Sequence, residues 1–478
     1  LVFLITRVSS ADSLQYIQDA EATHDAQEPF ILLGLLVNYN KFEFQNPYQM
    51  RLDDFVNEKT IQKIVAAFGQ SCASDRDKYV EIQDDLPEGW GIGSTLTSIG
   101  LGALVPGRKP APKQYSAETS KLLFSRLSVS KVDVLLLLLI SARPSHRAAI
   151  LLATYDFVNS NKLFCFNLVV QQSFDSIHKL ETPFSAFLSL TSYLLQHAHR
   201  HIRTSLYAYL NILIIRILIE DQVLCKRICD ETSTTAVRLC CQRQPYLPVV
   251  RGDRVLATVI LDIMVDGINH NLRRRLDVDL YIALLGVLHR TISFLARSRI
   301  RLSYHWSELW RSLLSFIRFL NSYATSLISL PNMPILLDTL VNTIALSLST
   351  GESFLPGPAE YDDLFYKLVE TGDTLIKFRD AYELQKRPEN SLPTLINVSR
   401  HYEELLQKSK DGRRSKQLSP QQVNGVIKQG YDTLSITAKE GLDQWQKYRE
   451  ADYKCVIKRI SRVAVADVRA IVGGEKKA

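Results

Sequence analysis

YHWSELWRSLLSFIRFLN, Tyr304 to Asn321, decides the fold. Trp306, Leu309, Trp310, Leu313, Ile317 and Leu320 recur at three- and four-residue spacing, with Ser307, Glu308, Arg311, Ser315 and Arg318 opposite them. That period predicts an amphipathic helix with a wide core face. Upstream, RVLATVILDIMVDGINHN from Arg254 to Asn271 places Thr258, Asp262, Asp266 and Asn269 on one stripe and leaves almost everything else apolar. Such a helix is buried around most of its circumference. The same period recurs at 148–159, 184–197, 206–219, 280–297 and 336–348, and strand-like alternation is scarce. The expectation is an all-α, armadillo/HEAT-like α-solenoid of stacked antiparallel helices. Units of about 40 to 47 residues would give roughly ten repeats over this length, with no consensus clear enough to phase them.

Outward from that core, three stretches break the period. Residues 84–116, DDLPEGWGIGSTLTSIGLGALVPGRKPAPKQYS, are dense in Gly and Pro and read as a long mobile loop whose apolar residues dock on a partner, on a membrane or back on the solenoid. Residues 350–363 form a shorter break. Residues 408–422 read as a basic flexible linker, with Ser419 and Pro420 opening a new helix. The expected organisation is N-terminal helical repeats at 1–83, the loop at 84–116, an armadillo-like helical domain at 117–407, the linker at 408–422, and two C-terminal helices within 423–478. The chain opens LVFLITRVSS without Met, so the repeats are expected to be truncated at the start.

Composition excludes several classes. The chain has 478 residues, 46% hydrophobic and 22% charged, which is ordinary for a folded chain and rules out wholesale disorder. Its 57 Lys+Arg against 50 Asp+Glu leave +7, too dilute for a chain whose main task is wrapping nucleic acid. Seven cysteines without a small-domain framework favour a reducing, cytosolic compartment. The apolar run Val134 to Ile140 and the segment Leu210 to Ile219, interrupted by Arg216, both fall short of the roughly 20 residues that cross a bilayer, and both are expected in the core.

Chemical motifs are missing throughout. GWGIGST offers Gly91 and Gly93 but Leu96 where a dinucleotide fingerprint needs its third glycine. Neither a P-loop, the kinase triplets, a G-x-S-x-G elbow nor H-E-x-x-H occurs. His197 and His201, four apart in LLQHAHRHIR with His199 between them, would share a helix face and could supply two metal ligands, but no third is visible. Cys225, Cys229, Cys240 and Cys241 read as buried free thiols rather than a zinc set. Arg251-Gly252-Asp253 reads as a turn into the next helix, and Asn397-Val398-Ser399 as a chance sequon. No catalytic, cofactor or metal residue is assigned, and the chain is expected not to be an enzyme. Between Lys226 and Lys367 the only basic residues besides histidine are arginines, which suits partly buried cations paired in forks with carboxylates, such as Arg311 with Glu308 or Arg273 to Arg275 with Asp277 and Asp279. The alternative for this run is a surface for an acidic segment or phosphoinositide head groups.

Three longer stretches carry a resemblance: NYNKFEFQNPYQMRLDDFVNE at 38–58, DGINHNLRRRLDVDLY at 266–281, and RLSYHWSELWRSLLSFIRFL at 301–320. Together they resemble the C-terminal region of the armadillo-like helical domain-containing protein 3 family, formerly a domain of unknown function, in a fungal version, over about residues 30–384. The resemblance implies a non-catalytic protein peripheral to the Golgi. It also implies association with a type III phosphatidylinositol 4-kinase and an Arf guanine-nucleotide exchange factor in support of Golgi phosphatidylinositol 4-phosphate. It names no catalytic residue. The rival readings are a metal-dependent enzyme built on the histidine pair, and adsorption to anionic membrane through the 84–116 loop and the Lys408 to Lys416 run.

Overall fold

A computed structural model describes residues 10–19, 23–43, 45–82, 144–172, 181–273, 276–411 and 440–475. The expected loop at 84–116, the apolar run at 134–140 and most of the linker at 408–422 lie outside these residues. Among the described residues there are eighteen α-helices and one two-stranded ribbon. The helices are α1 Ser10–Asp19, α2 Gln27–Asn38, α3 Pro47–Asp53, α4 Glu58–Ile82, α5 Ile150–Ser160, α6 Lys162–Val170, α7 Pro183–His197, α8 Ile202–Glu220 and α9 Gln222–Ile228. They continue as α10 Leu256–His270, α11 Val278–Ser298, α12 Trp306–Ser322, α13 Ala324–Leu327, α14 Met333–Phe354, α15 Pro358–Glu370, α16 Gly372–Ala381, α17 Leu392–Asp411 and α18 Lys454–Glu475.

Local chemistry sets the helix starts. Thr182 accepts from the Ser185 amide at 3.1 Å with Pro183 in the first helical position of α7, and Asp277 does the same for the Leu280 amide at 3.2 Å in α11. Asn161 caps α6 through the Phe164 amide while its own Nδ2 donates to the carbonyls of Leu52 and Phe55, tying α6 to the end of α3.

The long helices stack in two layers. One layer runs α2, α5, α8, α11, α14, each packed on the next, and the other runs α4, α7, α10, α12. Cross-layer contacts of α7 with α8 and α10 with α11 close one continuous core extending from Leu14 to Ala464. This is the all-α, armadillo-like fold expected from the period. Trp306, Leu309, Trp310, Leu313, Ile317 and Leu320 are all buried, with Trp306 and Trp310 stacked at 5.6 Å.

Two boundaries differ from expectation. The break placed at 350–363 shrinks to residues 355–357, since α14 continues to Phe354 and Pro358 starts α15. A longer non-helical insert joins α9 to α10 instead, closed by the ribbon β1 (Thr234–Thr235) and β2 (Arg254–Val255), antiparallel with Thr234 opposite Val255. Arg251 to Asp253 lies in this insert, with Gly252 at φ +87°, and leads the chain into β2 and α10.

Among the described residues three helices, α8, α11 and α14, are long and apolar enough to cross a membrane by length and composition. The sequence reading of 210–219 as too short missed this, because the helix runs on from Ile202 to Glu220 and its mean hydropathy stays high despite Arg216. All three sit in one layer of the solenoid, with 78%, 83% and 61% of their apolar windows buried by neighbouring helices.

Candidate partner-binding site

The segment after the linker does not extend away from the solenoid. Residues 440–475 return across the face of the layer formed by α2, α5, α8 and α11 as a strap. Within them, α18 and a short 3-10 turn at Glu450–Tyr453 are helical; of the pair of helices expected within 423–478, residues 423–439 lie outside the described residues. Ile457, Ile460 and Ala464, on one face of α18, are fully buried, and Asp467 closes the same stripe at 3% exposure. Its carboxylate accepts from Arg203 Nε at 2.8 Å and Tyr207 OH at 2.7 Å, with His146 Nδ1 at 3.0 Å. Arg203 also donates to the carbonyls of Pro144 and Ser145, so one guanidinium joins α8, α18 and the start of the 144–149 turn.

Ahead of α18, the non-helical residues Gln444–Arg449 are gripped by side chains of α8 and α11. Arg290 Nη2 donates to the Gln446 carbonyl at 2.8 Å, and Glu220 Oε2 accepts from the Tyr448 amide at 2.7 Å. Arg297 donates to Asp443 through both its carboxylate, at 2.7 Å, and its carbonyl, at 2.9 Å. The strap's aromatic side chains cover these cations. Trp445 lies 5.7 Å from Arg290 and 5.2 Å from Arg297, and Arg216 sits over Tyr448 and Tyr453. Glu220 also accepts from Arg216 and Arg290, which keeps two partly buried guanidiniums beside one carboxylate. Burial and the Arg216 charge push Arg290 down to about 10, so it stays protonated at neutral pH. At the far end Glu450 joins Lys41 and Asp156 in a buried cluster, with Tyr155 donating to Glu450 at 3.0 Å. Burial lifts the Asp156 carboxyl to about 6 against the pull of Lys41. This is main-chain recognition of a peptide by a helical surface, with the peptide supplied in cis.

The arginines between Lys226 and Lys367 are largely structural in this geometry. Arg311 pairs with Glu308 at 2.9 Å as expected, and Arg254 donates to buried Asp262. Arg273 instead donates to the His199 carbonyl, while Arg274 and Arg275 lie outside the described residues. The polar stripe of α10 is itself covered: Thr258, Asp262 and Asp266 are buried, and His305 Nε2 lies 2.7 Å from Asp262. Asp266 and His270 stand 3.7 Å apart. Burial and the neighbouring Asp262 push the Asp266 carboxyl well up, while burial and Arg243 push His270 down to about 3.

The histidine pair is corrected. His197 ends α7 and His201 precedes α8, so the turn at 198–200 separates them and they do not share a helix face. His197 Nδ1 lies 2.8 Å from the Tyr193 carbonyl and burial lowers it to about 3, while His201 caps α8 by accepting from the Arg203 amide. Arg243 donates to the His199 ring at 2.9 Å. Among the described residues no group of three His, Cys, Asp or Glu is placed to hold a metal. Cys225, Cys229 and Cys240 are buried and Cys241 is half-buried, and none of the four is in a disulfide.

Residues 254–470, which run from the ribbon through the strap to α18, match the family model for the C-terminal region of Armadillo-like helical domain-containing protein 3. This stretch belongs to that family. Similar proteins include a UPF0588 membrane protein of Schizosaccharomyces pombe, 28% identical over 90% of this chain and 65% of its own length. Armadillo-like helical domain-containing protein 3 of Homo sapiens is 26% identical over 90% and 66%, and that of Danio rerio 26% over 91% and 66%. The chain therefore spans just under two thirds of these relatives. No solved structure matches it. The matched region's end inside α18 means the strap belongs to the family's C-terminal region and not to an appended tail.

Proposed function

We propose that the chain is a non-catalytic helical scaffold, cytosolic and peripheral to Golgi membranes. In this reading it holds a type III phosphatidylinositol 4-kinase and an Arf guanine-nucleotide exchange factor. The observation that carries the scaffold reading is the grip of Glu220 and Arg290 on the main chain of Gln446 and Tyr448, which is how a helical surface holds a peptide. The kinase and exchange-factor partners rest on the family resemblance alone. Quantitative affinity purification of the tagged chain under gentle detergent tests them. The reading expects enrichment of one or both enzymes, and enrichment of neither removes the Golgi assignment.

A second reading, direct adsorption to anionic membrane, draws on the printed name of the S. pombe relative as a membrane protein. Flotation with anionic vesicles should then weaken as salt rises. Binding indifferent to salt and to lipid charge would end it.

A further inference from the structure

Beside the strap, the ends of α6, α9 and α11 enclose a separate cavity of about 890 Å³. Phe166, Val170, Val223, Leu224 and Ile300 give it an apolar lining. Phe166 and Val223 are 49% and 69% exposed, although Phe164 and Leu168 on the one helix and Leu224 and Ile228 on the other are buried in the core. The cavity's charged residues are mostly cationic. Arg227 is paired with Asp230 at 3.2 Å, but Lys226, Arg299 and Arg301 are exposed and have no carboxylate partner among the described residues. Arg301 spends one guanidinium nitrogen on the Glu352 carbonyl and keeps the remainder. Arg299 is also unusual in its backbone. It ends α11 at φ +53°, the left-handed position glycine normally fills.

We infer that this cavity docks an acidic, amphipathic peptide segment of a partner protein. A bulky apolar side chain of that segment seats against Phe166 and Val223, and flanking carboxylates engage Arg299 and Arg301. Unpaired guanidiniums around an apolar concavity complement that chemistry, since a guanidinium fork matches a carboxylate in geometry as well as charge. A flat anionic bilayer fits less well. It could not follow a concave lining. The inference deepens the scaffold reading and rests on it, but it does not depend on the kinase or exchange factor being the partner.

The test uses the full chain as bait for a displayed random-peptide library, with Val223→Glu and the double variant Arg299→Glu/Arg301→Glu alongside. Circular dichroism and melting serve as folding controls, because all three positions are exposed. The expected result is enrichment of peptides that combine acidic residues with Leu, Phe or Trp. Their affinity should fall at least about tenfold in both variants and weaken as salt rises. Enriched peptides without acidic residues, or acidic peptides that bind the folded variants as tightly as the parent, would overturn it. Binding of phosphatidylserine vesicles that is lost in the double variant, with no peptide sensitive to either variant, would equally overturn it and make the cavity a membrane contact. If affinity purification finds neither Golgi enzyme while the library result holds, the docking site stands and only the partner identity falls.

Discussion

Asp467 sits where the helical period of α18 asks for an apolar residue, and its carboxylate is satisfied by Arg203 and Tyr207 on another element. Removing one member of a buried charged set leaves the other desolvated and alone. Asp467→Ala is therefore expected to lower stability by about 3 kcal/mol, read from urea unfolding. A change below about 0.5 kcal/mol would mean that the strap is not held there. His270 tests a second residue-scale consequence. Its value near 3 lies below the ordinary 6.5, so below pH 6.5 the unfolded chain takes a proton that the native chain refuses. Its contribution is thus present above pH 6.5 and fades as pH falls, by up to about 1.4 kcal/mol per pH unit. Comparing the stability of His270→Asn with the parent between pH 7.5 and 5 should show a flatter acid slope in the variant. Parallel slopes would place His270 in contact with water. Neither residue was legible as a site. An acid in an amphipathic helix reads as solvent-facing until its partner is known, and the partner of Asp467 lies 264 residues away. The histidine pair failed for a related reason, because four-residue spacing implies a shared face only if no helix boundary falls between.

Helices were the legible scale. Their period reports one-dimensional patterning directly, which is why the core of α12 could be named residue by residue from its sequence. What the period cannot report is which helix faces which. Gly34 on α2 is such a case: a Cβ there would come within 2.7 Å of the Ala153 Cα on α5, so the two helices cross in near backbone contact. Gly34→Val should force them apart at a cost of about 1–3 kcal/mol in thermal or urea unfolding, and a neutral effect would contradict this crossing. The strap was illegible at this scale too. Gln444–Arg449 has no period because its order comes from Arg290, Arg297 and Glu220 on other helices, not from its own pattern. The same tertiary view bears on α8, α11 and α14. Neighbouring helices bury 78%, 83% and 61% of their apolar stretches, and Arg216 and Arg290 are paired within the protein. Carbonate washing of cell membranes should release the chain, whereas retention in the pellet would favour insertion of these helices.

At the scale of the whole molecule, the strap ties four helices of one layer together. It spans from α11 to α2, and its ion pairs, cation–aromatic contacts and buried α18 stripe fasten these helices to one another. A scaffold built this way presents to partners only what the strap leaves uncovered, including the cavity between α6, α9 and α11. Composition and missing motifs exposed the helical, motif-poor character early, but the strap's return path is set by contacts between residues 146 to 409 positions apart. The most direct test is to place a protease site between residues 412 and 439 and cleave the folded chain. The C-terminal piece should then comigrate with the solenoid in gel filtration and be displaced by excess synthetic peptide spanning 440–475. Immediate separation of the piece, with no rebinding of the peptide, would contradict a strap held as a peptide ligand.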